Sequence, residues 1–374
     1  MAERNARPRL VAAILSLGGG GAERVLARLL RELRPTFDVS LVVLERGGVY
    51  EEELERAGVP VELVPKEGNK LRFLRRLRKA ILDRKPDVVL SFLFYTDIAV
   101  ALALLGAGVP LVLAVRNNYR AEFAGARHAA AKRFLLKFAC RRRNVRAVTS
   151  ISETVAEMVR EDFRPKAPVV AIPNGLDVEA LERDMRQPLS PEDDALFDGQ
   201  TVVACGRLAP QKNYPLLIRA FAHGGPFARK ARLLILGTGA LEPELKKLAE
   251  ELGASDRVSF LGFRPNPHAL VSKATVFVLS SDFEGSPNAL AEALFTNGCC
   301  VSADCPTGPS ELIDDGVDGL LVPPGDEEAL SRAIETLLSD PVLRAKLSEA
   351  ARRRAAANTF RETTVVPYER LLRD

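Results

Sequence analysis

Short runs of apolar, β-branched residues alternate with helical patterns along almost the whole chain, and that alternation leaves few architectures open. Strand patterns fall at 10–15, 39–44, 61–64, 88–92, 111–115, 147–150 and 169–172, with helical segments between them, among them 22–33, 70–83, 126–140 and 154–161. This order folds as a parallel sheet clothed in helices, with its ligand crevice at the carboxyl ends of the strands. Pro173-Asn174-Gly175-Leu176-Asp177 breaks the pattern, and a polar, acidic stretch follows from 184 to 200. Strands then resume at 201–205, 233–236, 258–261, 276–279, 300–302 and 320–322. At 374 residues the chain exceeds one comfortable core. The expectation is α/β: two tandem Rossmann-like domains, 1–176 and 177–358, with an interdomain cleft and a terminal helical segment at 359–374.

The densest chemistry follows the strand at 276–279. Ser280-Ser281-Asp282-Phe283-Glu284-Gly285-Ser286-Pro287-Asn288-Ala289-Leu290-Ala291-Glu292 reads as a tight loop entering a helix, with Ser286 as N-cap and Pro287 as first helical residue. The helix's first N–H groups and positive dipole end suit an anion. Glu284 in the loop and Glu292 on the second turn are placed to face one crevice, and a carboxylate accepts two hydroxyl hydrogen bonds in fixed geometry. Two glutamates near a helix start also arise simply because they stabilise the dipole. After the strand at 201–205, Gly206-Arg207-Leu208-Ala209-Pro210-Gln211-Lys212 sets an arginine fork and a lysine point charge five residues apart. That spacing fits a diphosphate clamp, and it also fits two solvated surface cations. Gly237-Thr238-Gly239 ends the next strand and is expected to line the same crevice. Near the N-terminus, Gly18-Gly19-Gly20-Gly21 joins the first strand to the first helix, where glycines allow close backbone approach and positive φ. A dinucleotide fingerprint in that register would place Glu23 at its last glycine, so the run is a poor one.

Taken together, the 275–293 segment, its continuation Cys300 to Glu311 and the run Gly316 to Asp326 resemble the E-x7-E region of retaining glycosyltransferases of the GT-B fold, family-4 type. The resemblance extends over nearly the entire chain. It implies transfer of a hexose or N-acetylhexosamine from a nucleoside-diphosphate sugar, most simply UDP-linked, to a glycan or polyprenyl-linked acceptor. In that scheme Arg207 and Lys212 hold the diphosphate, Glu284 orients the reacting sugar and Glu292 fixes the ribose. Ser286, Pro287, Asn288, Ala289 and Leu290 form the segment whose backbone N–H groups, which proline lacks, support the donor, and Arg264 borders the base. Gly19, Gly20 and Gly237 lie against the phosphates, no metal or other cofactor is used, and the C-terminal helix packs back on the first domain. Ser91, Phe92, Arg116, Asn117, Asn118, Ser152, Glu153, Asn174 and Gly175 are expected to line the cleft on the first domain's side. Many members carry a histidine near Arg116 and Asn117; this chain does not. On the same architecture a nucleotide-sugar 2-epimerase and a non-catalytic bilobal sugar-binding protein remain alternatives.

Five cysteines form no C-x-x-C pair, and His128, His223 and His268 are scattered, so neither a disulfide framework nor a zinc site is expected. The N-terminus lacks a signal-like apolar core, which together with the thiols suggests the cytoplasm. Residues 1–176 hold 31 basic and 19 acidic side chains, a balance of +12, against −8 for the remainder. Helical segments 70–85 and 132–143 carry much of the positive charge, the first with an expected inward stripe of Leu71, Leu74, Leu77 and Ile81. Two readings stand: ordinary helices with solvated cations, or peripheral contact with the anionic inner face of a membrane. No aromatic stacking platform accompanies the charge, so nucleic acid is not an expected partner.

Overall fold

A computed structural model describes residues 7–18, 20–124 and 127–373. The chain divides into two compact units after Gly175 and after Phe360, rather than after 176 and 358. The first unit therefore takes in the segment from Arg361 onward, and the second is Leu176–Phe360.

Seven parallel strands make the first sheet: β1 (Arg9–Ile14), β2 (Asp38–Val43), β3 (Val61–Leu63), β4 (Val88–Phe92), β5 (Leu111–Val115), β6 (Val145–Ser150) and β7 (Val169–Ala171), in the order β3-β2-β1-β4-β5-β6-β7. Six more make the second: β8 (Thr201–Cys205), β9 (Arg232–Leu236), β10 (Val258–Gly262), β11 (Val276–Leu279), β12 (Cys300–Ala303) and β13 (Leu320–Val322), in the order β10-β9-β8-β11-β12-β13. Central strands such as β4 and β5 are buried along their whole length. Helices cover both faces, so these strands read as continuous apolar runs and not as alternating ones. In each sheet the strand order reverses beside the first strand, between β1 and β4 and between β8 and β11. Loops leaving the carboxyl ends on either side of that point part company and open a crevice.

Several local expectations change. In the helix Lys70–Leu82 the inward stripe is Phe73, Leu77, Ala80 and Ile81, whereas Leu71 is 64 % exposed. Phe73 supplies the i, i+4 spacing to Leu77 that Leu71 lacks. The helix expected at 126–140 begins at Ala129, and residue 126 lies outside the described ones. Beyond Phe360 a π-helical turn, Arg361–Val365, leads into the helix Val366–Arg373. Within the first unit, Tyr368 Oη lies 2.9 Å from Thr149 Oγ1, Arg146 donates to the Leu372 carbonyl at 2.9 Å, and Thr36 donates to Glu369 at 2.8 Å.

The helix Phe94–Ala103 has no basic residue in its last turn. Its terminal carbonyls are satisfied from outside: Arg78 donates to Ala103 and Leu105, and Arg142 to Ala101 and Leu104. Two cations at a helix carboxyl end also complement its dipole. Among the described residues no helix is long and apolar enough to cross a membrane.

Asp97, on the first turn of that helix, is fully buried, and neither carboxyl oxygen has a hydrogen-bond partner among the described residues. The hydroxyls of Ser91 and Thr96 are likewise buried and unpartnered. Burial pushes the Asp97 carboxyl well above the usual carboxylate range. The native state therefore holds a proton that the unfolded chain releases near pH ~3.9, so stability falls as pH rises above that value. Asp97→Asn keeps the shape without the ionisation. Thermal melts between about pH 4 and pH 9 should show the variant gaining on the wild type steadily as pH rises; a gap independent of pH would mean that Asp97 is not the linked group.

Candidate active site

The reversal between β8 and β11 places two loops side by side at the carboxyl edge of the second sheet. Leaving β8, the chain runs through Gly206 and Arg207 to a 3-10 turn, Pro210–Lys212. Asn213 follows in the left-handed region and caps the helix Tyr214–Ala222, its side chain accepting from Leu216 N. Leaving β11, residues 280–287 form the loop that carries Glu284. Cross-links stitch the two loops together: Asp282 N donates to Gln211 O at 2.9 Å, Asn213 Nδ2 to Asp282 Oδ1 at 2.7 Å, Ser280 Oγ to Lys212 O at 2.9 Å, and Gln211 Nε2 to Phe283 O at 2.8 Å.

At their centre Lys212 Nζ meets Glu284 Oε1 at 2.6 Å, and Ser281 Oγ donates to the same oxygen at 2.7 Å. Glu284 is only 6 % exposed. A third loop, after β12, braces it: Glu284 N donates to Pro306 O at 3.1 Å, and the Thr307 hydroxyl donates to Glu284 O. Gly308, at φ +99°, lets this loop close on the other, because a Cβ there would stand 2.9 Å from Pro287 Cδ and 3.0 Å from Ser286 Cα. Buried against Glu284, the Cys305 thiol is pushed up to about 12, mainly by desolvation and then by the glutamate charge, with Lys212 pulling the other way. It stays protonated near neutrality.

Arg207 differs from its partner in the expected clamp. It is exposed and its side chain makes no hydrogen bond or ion pair among the described residues, whereas Lys212 is largely buried and committed to Glu284. The two were expected to share an exposed strand end; only Arg207 does. Gly237 and Gly239, after β9, pack backbone on backbone against the β8 loop. A Cβ on Gly237 would fall 2.0 Å from Gly206 O, and one on Gly239 2.3 Å from Leu208 O. Only glycine fits at either place.

Ser286 does not cap the following helix, which is Asn288–Thr296 with Pro287 at the N-cap and no side-chain cap bond. Pro287 has ψ 100°, outside the helical region, and its carbonyl accepts from Leu290 N and Ala291 N. Leu290 therefore has its N–H committed and its side chain in the core, so it has no donor for a ligand. Asn288 and Ala289 occupy the first turn, where helix geometry leaves N–H groups without carbonyl partners inside the helix. Glu292, one turn further on, lies 3.2 Å from His268 Nε2. The His268 Nδ1 atom lies 3.2 Å from Asp184 Oδ2. Neither His268 nor Asp184 was singled out from the sequence, where 24 and 84 residues separate the partners and no local period links them. Arg264, after β10, donates to Leu261 O and to Asp193, and its Nε is buried without a partner.

In the first unit the residues expected at the cleft serve the fold. Arg116 is buried, donates to Ile172 O at 2.8 Å and to Asn174, and lies over the Phe92 ring at 5.2 Å. Asn117 holds Glu122, Asn118 caps the helix Tyr119–Phe123, Ser152 caps Glu153–Phe163, and Glu153 pairs with Arg160. Ser91 and Phe92 are wholly buried, and Thr364 bonds both Gly175 N and Pro173 O. In the glycine run, Gly19 lies outside the described residues. Gly20 is the N-cap of the helix Gly21–Leu33 with φ −72°, and none of Gly18, Gly20 and Gly21 has positive φ. At these three described glycines there is no left-handed turn, and Gly20 enters the helix from extended backbone. No group of three or more histidine, cysteine or acidic side chains that could hold a metal occurs among the described residues.

The family description "Glycosyltransferase Family 4" matches residues 19–180, and "Glycosyl transferases group 1" matches 182–354. The N-acetylgalactosamine-N,N'-diacetylbacillosaminyl-diphospho-undecaprenol 4-alpha-N-acetylgalactosaminyltransferase of Campylobacter jejuni is 30 % identical over 92 % of this chain and 94 % of its own length. The chain belongs to the group 1 glycosyl transferases. Another relative, the lipopolysaccharide core biosynthesis glycosyltransferase LpsE of Rhizobium meliloti, is 27 % identical over 94 % of the chain and 96 % of its own. Among solved structures, Anabaena HepE in complex with UDP and glucose superposes with a TM-score of 0.82 at 21 % identity, covering 97 % of this chain and 98 % of that one. That likeness fixes the fold as GT-B, two parallel-sheet α/β domains in tandem.

Stability should separate the two cations. Arg207→Ala should leave the melting temperature within error, since nothing inside the protein leans on that side chain. Lys212→Ala strands a nearly buried carboxylate and should cost about 1–3 kcal/mol. Adding Glu284→Gln to it should recover part of the loss in denaturant titrations. Equal stability for both single variants would mean that the ion pair is not holding the loops.

Proposed function

We propose that this glycosyltransferase moves a hexose or N-acetylhexosamine from a UDP-sugar to a glycan or polyprenyl-linked acceptor, with retention of configuration and without a metal ion. The observation that carries this reading is the switch point of the second sheet, where an uncommitted Arg207 stands beside the Lys212–Glu284 pair and one helix carries Glu292. Supporting it are the Campylobacter relative, whose name specifies an undecaprenol-diphosphate-linked acceptor, and HepE, whose fold is the same and which was crystallised with UDP and glucose.

In this scheme Arg207 and Lys212 take the diphosphate, with first-turn N–H groups of the helix Asn288–Thr296 beside them. Lys212 exchanges Glu284 for phosphate oxygens, and Glu284 turns to the hydroxyls of the sugar. The bond from the anomeric carbon to the leaving phosphate oxygen breaks. The acceptor oxygen bonds to that carbon on the same face, and its proton passes to the departing diphosphate. No side chain is required as nucleophile; the cations stabilise the charge that develops on the leaving group. Glu292 holds the ribose and Arg264 borders the base.

Incubation with candidate nucleotide sugars and an acceptor should release nucleoside diphosphate in step with transfer. An α-linked donor should yield an α-linked product by NMR, and a chelator should leave the rate unchanged. Isomerised donor would point to an epimerase, and untouched donor to a binding protein. Arg207→Ala should lower turnover by roughly 10²–10³, the size of effect seen when one transition-state charge donor is removed. Glu292→Ala should raise donor KM, whereas Glu284→Ala should lower kcat, because a ribose contact is made equally in ground and transition states. Identical effects of the two glutamates would refute that division.

We further propose that the first domain docks on the anionic cytoplasmic face of a membrane. The helices Lys70–Leu82 and Ala129–Cys140 both pack on Phe94–Ala103, which puts them on one face of the sheet. On them Leu71 and Phe134 are 64 % and 69 % exposed, and Phe138 is exposed too. Arg72, Arg75 and Arg141 stand nearby, exposed and without partners among the described residues. Arg76 and Lys79, by contrast, are spent on local carbonyls and on Asp83. Each well-placed cation adds about 1 kcal/mol at an anionic surface, and salt screens it. Cosedimentation with anionic vesicles should be strong at low salt, weak at high salt, and lost in a Phe134→Ser, Arg72→Gln, Arg75→Gln variant. A wild type that stays in the supernatant at low salt would make these helices merely solvated.

A further inference from the structure

Glu292 is held from outside its own helix. His268, on the helix Pro267–Lys273, sets Nε2 3.2 Å from Glu292 Oε2 and Nδ1 3.2 Å from Asp184 Oδ2 on the helix Val178–Met185. The imidazole is 12 % exposed, with both carboxylates partly buried beside it. A neutral imidazole offers one donor and one acceptor, whereas an ionised carboxylate only accepts. Two carboxylates at the two ring nitrogens therefore call for both nitrogens to donate, which is the imidazolium. The charge also balances: one cation between two anions, in a setting where water screens little.

From the helix Val178–Met185 the group facing His268 is Asp184, and from Asn288–Thr296 it is Glu292. On the flanking loop Arg264 is engaged by Asp193, and at the far end of the histidine's own helix Lys273 is engaged by Asp194. Asn266 donates to the Asp184 backbone carbonyl at 2.8 Å and so anchors that end of the helix beside His268.

We propose that His268 is a positioning residue for nucleotide recognition: as an imidazolium it locks the rotamer of Glu292 from which the carboxylate takes the vicinal hydroxyls of the donor's ribose. This rests on the reading of Glu292 as the ribose residue. A glutamate on an exposed helix turn samples several rotamers, and binding would have to freeze them; here the freezing precedes the ligand. The arrangement also makes ribose recognition depend on a proton. Loss of that proton leaves one nitrogen as an acceptor facing a carboxylate, which repels where it held.

Calorimetric titration of UDP and of 2′-deoxy-UDP separates the possibilities, using wild type, His268→Gln and Glu292→Ala, with thermal melts to confirm folding. Wild type should prefer UDP by about tenfold, the scale of one hydrogen bond to a charged group. That preference should shrink from about pH 6 to pH 9 as the imidazolium deprotonates. His268→Gln should lose most of the preference, bind 2′-deoxy-UDP nearly as wild type does, and show no pH dependence over that range. If His268→Gln keeps the full preference while Glu292→Ala loses it, Glu292 still reads the ribose and His268 does not position it. If Glu292→Ala keeps the preference as well, the ribose reading itself fails. A His268→Gln variant that melts earlier and binds both nucleotides equally poorly has a structural histidine, which also overturns the proposal.

Discussion

The ion pair between Lys212 and Glu284 is the contact on which the second domain's ligand edge depends. Parallel sheets deliver loops to one edge, but nothing in the sheet fixes those loops against one another where the strand order reverses. A carboxylate that is 6 % exposed cannot remain there alone, since removing an ion from water costs several kcal/mol unless it is paired. Lys212 from the β8 loop and Ser281 from its own loop meet that cost at the carboxylate, while the Thr307 hydroxyl after β12 braces the Glu284 backbone carbonyl, so three loops are fixed at once. Under the proposed reaction the same pair is also what the donor rearranges. A diphosphate brings two negative charges to Lys212, so Glu284 can leave it without stranding the lysine, and the carboxylate becomes available to hydroxyls only when the phosphates have arrived.

How much of this was legible in the sequence follows from the range of the interactions. Strand positions came through closely because buried parallel strands are unbroken apolar runs, and β4 and β5 lie where their patterns place them. The E-x7-E spacing and the Arg207–Lys212 spacing were legible because loop and helix geometry act within a dozen residues. The Leu71 error came from reading a stripe off leucines alone: Phe73 fits the same helical face and packs better, leaving Leu71 on the outer side. The glycine run was read as needing positive φ, yet Gly20 is extended. Where glycine is required, at Gly237 and Gly239, the reason is the backbone of another loop some thirty residues earlier, which no local reading sees. Arg116 was placed at the cleft because it ends a strand, but its partners, Ile172 and Asn174, come from beyond the next two strands.

Site geometry of this kind favours electrostatic work over covalent chemistry. The thiol nearest Glu284 is held protonated by burial, so Cys305 is a poor nucleophile. What the site offers is fixed charge on short, braced loops, where glycine contacts and cross-loop hydrogen bonds leave little to reorganise when charge develops. That is the requirement of a reaction whose leaving group carries the negative charge away.

The acidic stretch after residue 184, which reads in sequence as a polar connector, is part of this bracing. Asp184 meets His268, Asp193 meets Arg264 and Asp194 meets Lys273, so three acids of this stretch clamp the loop and helix that follow β10. Each pair alone, partly exposed, contributes little to stability. Their effect is positional. They set the segment that carries Arg264 and His268, and through His268 they reach Glu292 on the next helix, so the proposed nucleotide side of the site is framed by residues outside the family's spacing motifs. On the first domain, by contrast, the side chains of Arg72, Arg75 and Arg141 make no such pair among the described residues.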